Sequence, residues 1–192
     1  VLDVGGGPGH LAQYFVQAGC AVVSTDARQE NVQRARELYP YLTVRVLDIE
    51  GAGFAANEVY VVFCYGLLYH VENPLLVLRR LEALTGDLLL LETVVCDSKL
   101  PVVRIDDETT SFNQALHGIG SRPSPSFVAL GLSRAGFAHV YAPLVPPNHD
   151  DYQFEWRDDV AFSRDGHLLR CVFVASRTAV AAETLVELVP RS

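Results

Sequence analysis

Apolar runs of strand length alternate along the chain with segments whose apolar residues return every three or four positions. Runs near 1–5, 21–26, 42–47, 59–65 and 87–95 predict strands, and the segments 10–18, 29–38 and 73–84 predict helices between them. A further helix is predicted after RPSPS, where Ser124 or Ser126 supplies a cap, and it ends at the AGF of 135–137. HVYAPLV near 139–145 and LLRCVFVAS near 168–176 bring the predicted strands to seven. Strand and helix alternating in this way predict an α/β fold, a mainly parallel sheet with helices on both faces.

The pattern weakens in two places, about 96–125 and 146–167. Both are long for plain connections, and long segments in a compact domain commonly carry function. Neither an internal repeat nor a shift of composition divides the chain, so residues 1–192 are read as one domain.

The opening VLDVGGGPGH places Gly5, Gly6, Gly7 and Gly9 between a strand and a helix. Without Cβ atoms such a turn lets a ligand lie against the backbone, while the free N–H groups of the next helix face its anionic part. A dinucleotide turn needs a further glycine where this chain has His10, and Pro8 stiffens the loop, which disfavours nicotinamide. Downstream, Asp26 closes the second strand, where a carboxylate can accept ribose hydroxyls, or alternatively cap the next helix. Asp48 closes the third strand, where with Ile49 it can meet a base, or serve as a solvated turn acid.

Composition narrows the partners. The formal charge of -8 comes without a clustered basic stripe, which argues against a nucleic-acid partner. Cys20, Cys64, Cys96 and Cys171 are widely spaced with no CxxC pair, pointing to reduced thiols, and no apolar run is long enough to span a bilayer. A soluble cytoplasmic protein is expected, with no membrane partner and no prediction of oligomeric state. The chain has no Met and starts inside a strand, so a preceding segment is expected; the closing LVPRS resembles a protease-site remnant lacking its Gly.

DVGGGPG resembles the D/ExGxGxG motif of class I S-adenosylmethionine-dependent methyltransferases, and the resemblance extends over nearly the whole chain. It implies a Rossmann-like seven-stranded sheet whose last strand is antiparallel. It also implies S-adenosylmethionine as cofactor, held by Asp3, Gly5, Gly6, Gly7, Gly9, Asp26, Ala27, Asp48, Ile49 and Tyr65. YGLLYHVENP and LLLLETVVCD are similar in part to the bacterial tRNA wobble-uridine carboxymethyltransferases. That family has basic residues after the His, whereas this chain has Val71, Glu72 and Asn73, which favours plain S-adenosylmethionine over a carboxylated form.

At the reacting end, methyl transfer depends chiefly on holding nucleophile and methyl group in line. Where the acceptor is a hydroxyl a base helps, and His70, just past the fourth strand, is the candidate catalytic residue; its alternative role is to brace the loop. Tyr69, Glu92 and His117 are candidate substrate-binding residues. Asp106, Asp107, Glu108, Asn113 and Gln114 add polarity to the first long segment, and Tyr152, Phe154 and Trp156 make the second a candidate lid over an aromatic or sugar-like acceptor. His149, Asp150 and Asp151 lack a repeated ligand spacing, so no metal is expected. The sequence thus predicts a methyltransferase acting on a small molecule, with a sugar or natural-product hydroxyl as the candidate acceptor. A tRNA-modifying enzyme and a non-catalytic cofactor-binding module remain as alternatives.

Overall fold

The structure, a computed structural model, describes residues 1–51, 59–109 and 115–188. β1 (Leu2–Val4), α1 (Ala12–Gln17), β2 (Val23–Asp26), α2 (Gln29–Leu38) and β3 (Thr43–Val46) come first, followed by β4 (Val59–Tyr65), α3 (Pro74–Leu84) and β5 (Thr85–Val94). The ribbon strands β6 (Val103–Asp107) and β7 (Ile119–Pro123) precede α4 (Pro125–Ala135) and β8 (His139–Pro143). β9 (Ser163–Arg164), β10 (His167–Leu168), β11 (Arg170–Ser176) and β12 (Leu185–Glu187) complete the order. Asn113 and Gln114 lie outside the described residues, as does the end of LVPRS beyond Leu188.

Among the described residues the main sheet has eight strands, ordered β12-β8-β11-β5-β4-β1-β2-β3. The pairs from β3 to β5 are all parallel, whereas β11 runs antiparallel to both β5 and β8. The seven expected strands are present, but the expected total of seven is corrected to eight. β12 pairs with β8 at the sheet edge and is too short and too exposed to read as a strand. Its Val186 sits opposite Ala142, and Leu188 donates its amide to Val140.

Packing explains the two helical layers. α3 buries Val77, Leu78, Leu81 and Leu84, and α4 buries Val128, Ala129 and Leu132, in one core with Leu2, Val4, Val62, Leu89, Leu91 and Phe173 of the sheet. α1 and α2 bury Ala12, Val32 and Ala35 in a second core with Leu42 and Val44. On that side Phe15 of α1 meets Phe63 of β4 edge to face, with 5.0 Å between ring centres. Ser124 caps α4 by accepting from the Phe127 amide at 3.2 Å, with Pro125 in the first turn and Gly136 at the far end.

The chain steps outward from β1 to β3 and then returns to place β4 against the free side of β1. The crossovers diverge at β1 and β4, and in an open α/β sheet such a switch point leaves a crevice at the strand carboxyl ends. The turns after β1, β2, β3 and β4 therefore converge. The two long segments add β6–β7 and β9–β10 as small antiparallel ribbons.

Candidate active site

The turn after β1 is folded onto β2. Gly5 and Gly6 donate their amides to the Thr25 carbonyl at 2.9 and 2.8 Å, and Gly9 donates to Gly6 at 2.9 Å. Gly7 has φ 54° and donates to Asp26 Oδ2 at 3.0 Å, and a Cβ built on it meets no atom within 4 Å. The backbone at Gly7 thus borders open space that any side chain would invade. Gly6 is opposite in character: its Cβ would sit 2.3 Å from Ser24 Oγ.

The cleft bordered by this turn has a volume of about 510 Å³, in the range of small-ligand sites. Of the predicted cofactor residues, Gly5, Gly7, Asp26, Ala27, Asp48 and Ile49 line it. Asp26 Oδ1 accepts from the Arg28 amide at 2.9 Å and from Asn31 at 3.1 Å, so the acid also fastens the start of α2. Asp48 Oδ1 accepts from the Glu50 amide at 2.9 Å, and Arg80 donates to the carbonyls of Ile49 and Gly51. The helix-capping and turn-acid alternatives for the two aspartates are therefore compatible with a place in the cleft.

Asp3, Gly6 and Gly9 stand behind the turn and not on the cleft wall. Asp3 is buried and accepts from Ser24 Oγ at 2.7 Å. Burial pushes its carboxyl up to about 6, with Asp26 adding to the rise and the Ser24 hydrogen bond opposing it. Tyr65 also lies off the wall, stacked on Phe63 with ring centres 4.2 Å apart.

Tyr69 and His70, on a 3₁₀ turn, Leu68–His70, line the same cleft, as does Leu116. His70 Nδ1 lies 2.6 Å from Glu108 Oε2, and the Tyr69 ring centre is 4.1 Å from its own. Burial lowers the His70 pKa, and the charges of Arg122 and Arg28 lower it further, while Glu108 opposes them. His70 is therefore held neutral, the form that accepts a proton.

Glu92 is buried and takes the guanidinium of Arg170 at 2.9 Å. Burial raises its carboxyl pKa, and Arg170 and Tyr152 pull the other way. Arg170 reaches the Tyr69 hydroxyl at 3.4 Å and Asp151 at 3.2 Å, so Glu92 ties the second long segment to the cleft wall. His117 is exposed beside Leu116 and does not line the cleft. His149 Nδ1 lies 4.0 Å from Asp151 Oδ1, and Asp150 and Asp151 both pair with His167, but Asp151 is also taken by Arg170. No group of three ligating side chains capable of holding a metal occurs among the described residues. A second, more apolar cavity of about 830 Å³ is walled by Phe154, Trp156, Pro146 and Val172.

Three features escaped the sequence reading: the Glu108 and Arg122 pairing at His70, the Arg170 bridge, and the acceptance by Asp97 of the Arg157 and Asp158 amides at 2.6 and 2.9 Å. Each joins segments far apart in the chain, so local pattern carries no sign of it.

Comparison with known proteins decides the family of folds. Residues 2–85 match the model of a methyltransferase domain. The N-terminal domain of EvdMO1, solved with S-adenosylhomocysteine and D-fucose, superposes with a TM-score of 0.71 at 20% identity over 91% of this chain and 74% of that one. This is the class I methyltransferase fold. An S-adenosylmethionine-dependent methyltransferase from Mesorhizobium loti superposes with a TM-score of 0.62 at 16% identity, over 92% of this chain and 89% of that one. Over 93 residues the chain is also 33% identical to the ubiquinone biosynthesis O-methyltransferase of Haemophilus ducreyi. That match takes in 44% of this chain and 39% of the relative, so the chain spans well under two thirds of that enzyme's length. No helix among the described residues is long and apolar enough to cross a membrane.

Proposed function

We propose that this protein is an S-adenosylmethionine-dependent methyltransferase whose acceptor is a hydroxyl group of a small molecule. One observation carries the reading: a single cleft is lined by the glycine turn, Asp26, Asp48 and a neutral, carboxylate-bound histidine. The cradle fits the cofactor. Gly7 leaves the backbone bare to the cleft, Asp26 offers a carboxylate where a ribose diol would lie, and Asp48 and Ile49 border the place of a base. Bound there, the cofactor supplies an electrophilic methyl group on a sulfonium.

The remaining chemistry belongs to the chain. Tyr69 and Leu116 narrow the reacting end, which favours one orientation of the acceptor. His70 Nε2 takes the proton of the acceptor hydroxyl as its oxygen becomes bonded to carbon. Glu92, through Arg170 and Asp151, holds the second long segment against that end and shields it from water. A sugar-like or polyhydroxylated acceptor is favoured by the polar side chains on the cleft wall, by the D-fucose present with EvdMO1, and by the O-methyltransferase relative.

The test is transfer of labelled methyl from S-adenosylmethionine to a panel of hydroxylated small molecules by the unmodified protein and by His70→Gln. The reading requires a methylated product from the first and a loss of rate in the second of roughly 10²–10⁴-fold, the usual share of a general base. No product from any acceptor, with the cofactor bound, would favour a non-catalytic binding module.

A further inference from the structure

We infer that Glu108 is a positioning residue that sets the tautomer of His70, protonated at Nδ1 with the Nε2 lone pair left to the cleft. The inference rests on the reading of His70 as proton acceptor. An ionised carboxylate has no hydrogen to donate, so a contact of 2.6 Å between Glu108 Oε2 and Nδ1 places the proton on the ring. In a neutral imidazole only one nitrogen can carry it. Nε2 makes no hydrogen bond among the described residues, and His70 lines the cleft.

Glu108 is built to stay ionised and still. Its burial alone would raise the carboxyl pKa, yet hydrogen bonds from His70 and Arg122 and the Arg122 charge act against that, and the net shift is downward. Oε2 also accepts from the Ala115 amide at 2.8 Å, and Oε1 accepts from Arg122. Arg122 in turn donates to the Tyr69 carbonyl at 2.6 Å, so the carboxylate is braced against the 3₁₀ turn that carries His70. In β7 the glycine at 120 leaves the room, since a Cβ there would sit 2.4 Å from Glu108 Oε1. The partner of His70 is thus supplied from just past the end of β6, and the brace on that partner from β7. Facing His70 are Glu108 and Arg122 from the β6–β7 segment, Arg28 from the turn after β2, and the Tyr69 ring beside it.

The alternative is that Glu108 merely pins the ribbon. The two roles separate in the nitrogen spectrum of the imidazole. Protein labelled with ¹⁵N-histidine is measured with S-adenosylhomocysteine present, well above the ordinary imidazole pKa of about 6.5. His70 is assigned by the signals missing from His70→Gln. The unmodified protein is expected to show protonated Nδ1 and unprotonated Nε2. Glu108→Gln, whose amide can accept or donate, should lose the single tautomer, and its His70 titration should move down by about 1 unit because an opposing charge is gone. Protonated Nε2 in the unmodified protein would overturn the inference, as would an unchanged tautomer and titration in Glu108→Gln. If that variant does not fold, the spectrum of the unmodified protein still decides. Calorimetry with S-adenosylhomocysteine on the same sample tests the cofactor reading separately, so failure of one is distinct from failure of the other.

Discussion

The Gly7 amide donates to Asp26 Oδ2 at 3.0 Å, so the glycine turn of the first strand and the acid at the end of the second form one piece of cleft wall. The acid also holds the Arg28 amide and Asn31, which leaves its outer edge presented to the cleft by a fixed frame. On the proposed reading, Asp26→Ala removes both a ligand contact and the tie that orients the turn. Hydrogen bonds to a charged group are worth roughly 1.5–3 kcal/mol, so affinity for S-adenosylhomocysteine should fall about 10- to 150-fold. Calorimetry on the variant measures it, and unchanged affinity would remove Asp26 from the site.

Neighbouring glycines should fail differently. Gly7→Ala puts a methyl into open space at φ 54°, at a modest conformational cost of roughly 1–2 kcal/mol, and should chiefly weaken ligand binding. Gly6→Ala drives a methyl into Ser24 and the buried Asp3 and should chiefly unfold the protein. Urea titration and calorimetry on both variants separate the two; equal loss of stability would contradict the assignment.

Asp3 gives stability a definite pH dependence. Its folded pKa of about 6 lies above the ordinary 3.8, so between those values the folded state keeps a proton that the unfolded chain has released. Stability from this group is full below about pH 4, declines as pH rises to about 6, and is level above, a change on the order of 3 kcal/mol. Asp3→Asn should flatten that decline and be the more stable protein at neutral pH. Urea unfolding on either side of the window checks it, and parallel slopes in both proteins would refute the assignment.

Asp97 is buried at the root of the second long segment and accepts from two of its backbone amides and from Arg164. Asp97→Ala should strand those amides, at roughly 1–3 kcal/mol, and free the segment locally. Faster hydrogen exchange confined to 146–167 is the expected sign. Exchange no faster than in the unmodified protein would show that the segment is held by the Arg170 bridge instead.

Regular structure was legible where one face of an element is buried. The α2 expected over 29–38 is found as Gln29–Leu38, because Val32 and Ala35 sit on one stripe against Leu42 and Val44. α1 begins later than its pattern, at Ala12, because the residues from Gly5 onward are spent on the turn and Leu11 offers no side-chain cap. α3 runs straight into β5 at Thr85, whose hydroxyl bonds back to Leu81, so no turn residue marks the change from helix to strand. The β7 stretch IGSRP carries Gly and Pro and reads as loop, and only its register with β6 makes it a strand.

That the glycine turn and the acids after β2 and β3 share one cleft was legible because their pattern is local: glycines in a turn and an acid at each strand end. The surroundings of His70 were not. In the sequence Glu108 is one polar residue among several in the first long segment and Arg122 carries no mark, yet the ribbon pairing of Asp106 with Gly120 and Arg104 with Arg122 brings them together beside His70. Charged residues in a long segment look solvated until the register that pairs them is known.

The central claim is that the cleft beside Gly7, Asp26 and Asp48 holds an adenosyl sulfur compound. Titration calorimetry of the unmodified protein with S-adenosylhomocysteine, with Asp26→Ala alongside, tests it most directly. The account predicts one site per chain and a clear loss of affinity in the variant; no heat of binding to folded, unmodified protein would contradict it.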